Sequence, residues 1–206
     1  MQVLWKKSSR NKRMILKVSN GVVIVSTPYS VSRVEVEAFV KKNQAWIAKQ
    51  LKKDAASILQ AGQTISLLGQ TYVLKEADSC FTMDDSCYFC RDEKKWKAFL
   101  LAYAQDFIAE RFVYWSTKMG QDSLSLKFGF YKSKWGSCRR DTREIRLNGY
   151  LALCSPRMID AVIVHELCHL KFPNHSSRFY QEVLFWFPDY YKEYKKLRSI
   201  KMVRTK

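Results

Sequence analysis

The chain has 206 residues, 47% of them hydrophobic and 14% aromatic, which is enough to bury a core and excludes a disordered or low-complexity chain. A formal net charge of +17 points to nucleic acid, nucleotides or another acidic partner, or to the solvated surface of a basic protein. The first sixteen residues have no apolar run between Lys6, Lys7, Arg10, Lys12 and Arg13, and no stretch has the length of a membrane span, so a cytoplasmic protein with no membrane contact and six reduced cysteines is expected.

The predicted elements begin with a hairpin over 14–25, where two β-branched runs flank Asn20-Gly21. Ser32 and Glu35 form a capping box that starts one helix, with Phe39, Val40, Trp46, Ile47 and Leu51 as its apolar stripe. Residues 64–74 read as a second hairpin that pivots at Gly69-Gln70. Residues 61–93 hold 2 Lys/Arg against 6 Asp/Glu, between blocks of 12 against 3 and 22 against 10. This acidic stretch marks a boundary. The organisation expected is an N-terminal β-hairpin and helix unit at 1–77, a linker or exposed hairpin at 78–93, and a second domain at 94–206.

A long amphipathic helix is predicted from Lys94 to Met119, with Trp96, Phe99, Leu100, Tyr103, Phe107, Phe112 and Trp115 as core packing and Gly120 as its end. Strands follow at 124–132 and 143–148, with Trp135-Gly136-Ser137-Cys138 between them as a tight turn, either structural or in direct contact with substrate. Ser155 and Pro156 open the next helix, which Met158, Ile159, Val162, Ile163 and Leu167 bury and Pro173 closes. Two helical segments, 176–187 and 188–200, complete the chain.

The chemistry lies in His165-Glu166-Leu167-Cys168-His169. Two histidines four apart share one helix face and can chelate one ion. Glu166 sits beside the first ligand, where a carboxylate can take a proton from a water that the ion has acidified. The remaining histidine, His175, follows Pro173-Asn174, where the chain can fold back and offer a third imidazole. Three protein ligands and a water are the usual catalytic zinc set. Glu182 or Glu193 on the following helices could instead complete it. The pattern points to a zinc-dependent hydrolase. Arg178 and Tyr180 stand near enough in sequence to steady an oxyanion, or are surface positions. Cys87 and Cys90 have chelating spacing with Cys80 nearby, but no fourth ligand is evident for a second metal site.

Trp135-Gly136-Ser137-Cys138, Ile145-Arg146-Leu147-Asn148, Ile159-Asp160, His165 to His169, Asn174-His175-Ser176 and Phe179 together resemble the YgjP-like metallopeptidase domain, which is similar to the SprT/Spartan and WLM zinc peptidases. The resemblance implies an α+β, zincin-like catalytic domain, with the active-site helix packed on a small antiparallel sheet. It implies one zinc ion on His165, His169 and His175, Glu166 as base, and a peptide or protein substrate. The ligand spacing is also that of metzincins, but Phe172 takes their glycine position. The strand ending at Asn148 could serve as a substrate-binding edge or as an ordinary sheet strand. The basic composition leaves two other readings: a metal-dependent nucleotide or phosphate-ester hydrolase, and a nucleic-acid-binding module. Relatives of this family act on proteins attached to DNA, so a DNA-associated peptidase combines them.

Overall fold

Alternating burial over Val22–Thr27 and the capping box at Ser32 fix the first part of the chain. The computed structural model describes residues 3–19, 21–55 and 59–200, which divide into two units after Leu59. In the first unit, strands β1 (Val3–Lys7), β2 (Ile15–Ser19) and β3 (Val22–Thr27) form a sheet in the order β1-β3-β2. The β2–β3 hairpin pairs Ser19 with Val22, and Gly21 supplies the positive φ its turn requires. Asn20, its expected partner in the turn, lies outside the described residues.

The single helix expected here is two. Helix α1 (Arg33–Lys42) starts on the Ser32–Glu35 capping box, and α2 (Gln44–Ala55) follows one residue later. Asn43 makes the break: its side-chain amide donates to the Phe39 carbonyl at 2.8 Å and caps α1. The break turns Ile47 into a core with Val23, Val25, Val36 and Val40, while Trp46 is 41% exposed and leaves the expected stripe.

The second unit contains residues 60–200. Strands β4 (Thr64–Leu67), β5 (Gln70–Glu76), β6 (Phe81–Met83) and β7 (Ser86–Phe89) pair in the order β4-β5-β7-β6. Packing therefore places the division at 59/60, whereas the acidic composition suggested 77/78. The segment 78–93 supplies the β6–β7 hairpin of a sheet and is not a bare linker. Helix α3 (Glu93–Lys118) is capped by Asp92 and buries Trp96, Leu100, Ala104, Ile108, Phe112 and Trp115.

Strands β8 (Ser125–Gly129), β9 (Gly136–Arg139) and β10 (Glu144–Asn148) form the sheet beside the metal-site helix. Two expectations change here. Residues 136–139 are a strand, not a turn, and the sheet is mixed: β10 runs antiparallel to β9 but parallel to β8. The loop 130–135 carries the chain over the end of β10, so β10 is inserted between its predecessors. It is therefore the central strand, and β9 is an edge. A one-turn 3₁₀ segment (Gly149–Leu153) then leads to α4 (Pro156–Cys168), α5 (Ser177–Trp186) and α6 (Tyr190–Leu197). The α+β class is as expected, with a small sheet against the helix that carries the paired histidines.

Helix α4 is enclosed by α3, α5, α6, β9 and β10, and every residue from Met158 to Cys168 is buried. One acid fixes its rotation against α3. Asp160 accepts from Arg111 Nε at 2.7 Å, from Arg111 Nη2 at 2.5 Å and from Trp115 Nε1 at 2.9 Å. A buried carboxylate with three donors is held in place, and its removal strands a guanidinium and an indole N–H. Asp160→Ala should lower stability by about 2–4 kcal/mol in urea denaturation. A loss below about 0.5 kcal/mol, the scale of a surface change, would show that the cluster does not anchor α4.

Candidate metal centre

The i, i+4 spacing of His165 and His169 puts both imidazoles on one side of α4 at its C-terminal end, where His169 is the capping residue with helical backbone angles. The chain then turns through Pro173 and begins α5 from Ser176, whose hydroxyl accepts from the Phe179 N–H. That turn carries His175 back over the first two rings. His165 Nε2 lies 3.2 Å from His169 Nε2 and 3.1 Å from His175 Nε2. Two nitrogens bound tetrahedrally to one zinc at 2.0–2.1 Å would stand about 3.3 Å apart, so the spacing suits a shared ion. The three ligand atoms lie within 4.8 Å of one another, and among the described residues no other group of three or more His, Cys, Asp or Glu side chains converges in this way.

Neighbouring groups orient two of the rings, and one of them sets a tautomer. His169 Nδ1 is 3.0 Å from the Phe172 carbonyl. A carbonyl only accepts, so Nδ1 carries the proton and the Nε2 lone pair faces the cluster. His165 Nδ1 meets the Tyr190 hydroxyl at 2.8 Å, an outer partner that holds the orientation of its ring. Phe179, fully buried, lies beneath all three rings, with centroids 4.9 Å from His165, 4.6 Å from His169 and 5.0 Å from His175. Burial, reinforced by the other two imidazoles, pushes His165 down to about 3, and burial lowers His169 also. Both are neutral at pH 7, as ligands must be.

Glu166 is buried beside the cluster, and its position depends on a missing side chain. A Cβ at Gly136 would stand 2.6 Å from Glu166 Cγ and 2.7 Å from Oε1. Glycine in β9 is what lets the carboxylate lie against the strand. Burial pushes the Glu166 carboxyl up to about 8, and Lys134 opposes that rise. A cation at the imidazole cluster would favour the ionised form further.

The site opens into a cleft of about 500 Å³, lined by 133–138 and Arg140 on one side and by the histidines, Glu166, Pro173 and Tyr194 on the other. Asn148 holds the first wall. Its side-chain amide donates to the carbonyls of Tyr131 and Lys134, both at 2.8 Å, its backbone N–H donates to the Trp135 carbonyl at 2.8 Å, and its Oδ1 accepts from the Tyr150 N–H at 3.1 Å. One fully buried side chain thus shapes the loop over β10.

The structure brings His165, Glu166, His169 and His175 together. The alternative ligands lie elsewhere. Glu182 accepts from Lys171 at 3.0 Å and from Trp186 Nε1 at 3.2 Å, and buried Glu193 pairs with Lys196 at 2.7 Å. Arg178 borders a separate shallow depression with Phe172 and Phe185. Tyr180 stacks on His175 with centroids 6.0 Å apart. Tyr190, Gly136 and Asn148 are supports that the sequence did not announce by spacing. Gly136 and Asn148 do lie inside the resembling stretches, whereas Tyr190 sits in a tyrosine-rich tail with no local signal.

Residues 12–200 match the family described as YgjP-like, metallopeptidase domain. The chain belongs to that family. The crystal structure of the metallopeptidase zymogen of Pyrococcus abyssi abylysin is similar at a TM-score of 0.41 and 20% identity, covering 47% of this chain and 98% of its own. That of the Methanocaldococcus jannaschii jannalysin zymogen is similar at 0.41 and 22%, covering 45% and 94%. No curated protein matches. As a member of a metallopeptidase family with this donor set, the chain should bind one divalent ion per molecule. His169→Ala and His175→Ala should each abolish stoichiometric binding, measured by metal analysis after dialysis, while Glu182→Ala and Glu193→Ala retain it. Full metal content in His175→Ala would remove that residue from the site.

Proposed function

We propose that the chain is a zinc-dependent peptidase in which His165, His169 and His175 hold one zinc ion and Glu166 is the catalytic base. The observation that carries this reading is the convergence of three imidazole Nε2 atoms beside a buried carboxylate, at the mouth of a cleft whose wall continues into an edge strand. Three imidazoles suit zinc better than the oxygen-seeking divalent ions. Bound there, zinc would acidify an attacking water and polarise the scissile carbonyl.

The protein's own groups do the rest. Glu166 removes the proton of the attacking water and carries it to the leaving amine. Tyr190 and the Phe172 carbonyl keep the ligand rings from rotating. Strand β9 pairs only with β10 among the described strands, so its outer edge can align an extended peptide by strand addition. This role falls to β9, not to the strand ending at Asn148 that the sequence put forward, because β10 is paired on both sides. The basic side chains Lys134 and Arg140 in the cleft lining favour one second reading, hydrolysis of a nucleotide or phosphate ester at the same centre.

A peptide library and a nucleoside-triphosphate panel, each assayed with zinc-loaded protein, separate the two substrates. Turnover of nucleotides without peptides would replace the peptidase reading. Glu166→Gln should keep metal and fold yet lose activity by roughly 10²–10⁴-fold. Gly136→Ala should keep metal and lose on the order of 10²-fold, because its Cβ displaces the Glu166 carboxylate. A fully active Glu166→Gln protein would overturn the role of this residue.

A further inference from the structure

The three cysteines of the acidic segment take no part in the metal centre. Cys80 precedes β6 and Cys90 follows β7, so the two stand at the base of that hairpin. Their sulfurs are 3.1 Å apart, and the Cys90 N–H donates to Cys80 Sγ at 3.2 Å. Cys90 Sγ is also 3.8 Å from the carbonyl of Asp92, the residue that caps α3. Cys80 is half-buried, Cys90 is 4% exposed and Cys87 is fully buried. The three do not gather as a metal site: among the described residues only the histidines converge. The geometry is that of a pair. A disulfide needs its sulfurs at about 2.03–2.05 Å, so closure takes about 1 Å of approach and no change of register.

We propose that Cys80 and Cys90 are a dithiol site that reacts with a small-molecule disulfide and closes an intrachain bridge across the base of the β6–β7 hairpin. Cys80, the more accessible sulfur, loses its proton and attacks one sulfur of the oxidant. The oxidant's S–S bond breaks, one thiol leaves, and Cys80 carries the other half as a mixed disulfide. The Cys90 sulfur, already in contact, gives up its proton, attacks Cys80 Sγ and expels the second thiol. The pair loses two electrons and two protons, and the oxidant becomes two thiols. Burial, and after it the neighbouring sulfur, pushes the Cys80 thiol up, which slows exchange near neutral pH and speeds it in mild alkali.

The test treats the full chain with oxidised glutathione at pH 8.5, then counts thiols after denaturation and maps peptides. Two of the six thiols should be lost to one Cys80–Cys90 cross-link, and dithiothreitol should restore them. The bridge closes a short loop, so the melting temperature should rise by roughly 5–10 °C. Cys87→Ser should behave like the native chain, and Cys80→Ser and Cys90→Ser should form no bridge. Six thiols remaining, a glutathione adduct that persists on Cys80, or a bridge to Cys87 would each overturn the proposal. Mapping the unsubstituted protein decides the matter even if a variant fails to fold.

Discussion

A helix buried on every side must find partners for the polar groups it carries, and Asp160, His165 and His169 of α4 find theirs on different elements. Asp160 is held by Arg111 and Trp115 of α3. His165 meets Tyr190 of α6, and His169 meets the Phe172 carbonyl in the turn that follows. Glu166 occupies the space that Gly136 of β9 leaves open. An unpartnered polar group in such a place would cost 1–3 kcal/mol. The same contacts that avoid this cost also set the rotation of the helix, the orientation of the His165 ring and the tautomer of His169. Stability and site geometry therefore rest on one set of interactions.

The consequence for chemistry is a site arranged before any ligand arrives. Phe179 fixes the floor under the three rings, and Asn148 fixes the loop that forms the facing wall. Neither touches a reacting atom. Both restrict motions that would let the imidazoles or the cleft drift, and drift on the scale of 1 Å is costly in catalysis. Burial holds the Glu166 carboxyl up near 8 and keeps His165 and His169 neutral, so a cation among the imidazoles is what favours the carboxylate. This is the physical sense in which the donor set fits a metal ion.

The sequence disclosed what is local and hid what is not. His165, Glu166 and His169 are legible because helical periodicity alone places them together, and His175 because a proline turn follows within six residues. The capping box at Ser32 and the long helix ending near Gly120 are likewise local signals. Strand β9 escaped notice because Gly136-Ser137-Cys138-Arg139 has no β-branched or aromatic residue; its pairing with β10 makes it a strand. The compact units divide at 59/60: acidic charge reports the surface, whereas the β4–β7 strands belong to the second unit through pairing and packing. Leu68 N–H, for example, donates to the Ala152 carbonyl at 2.8 Å. The break at Asn43 carries neither Gly nor Pro, and a side-chain cap made it. Tyr190 supports His165 from 25 residues away, a distance over which no spacing rule operates.

On the proposed reading, three imidazoles of this chain share one ion. X-ray absorption at the zinc edge of the zinc-loaded protein tests it most directly. A shared ion gives nitrogen or oxygen neighbours only, at 2.0–2.1 Å, with the outer-shell scattering of three imidazole rings. A sulfur neighbour near 2.3 Å, or a ring count below three, would contradict it.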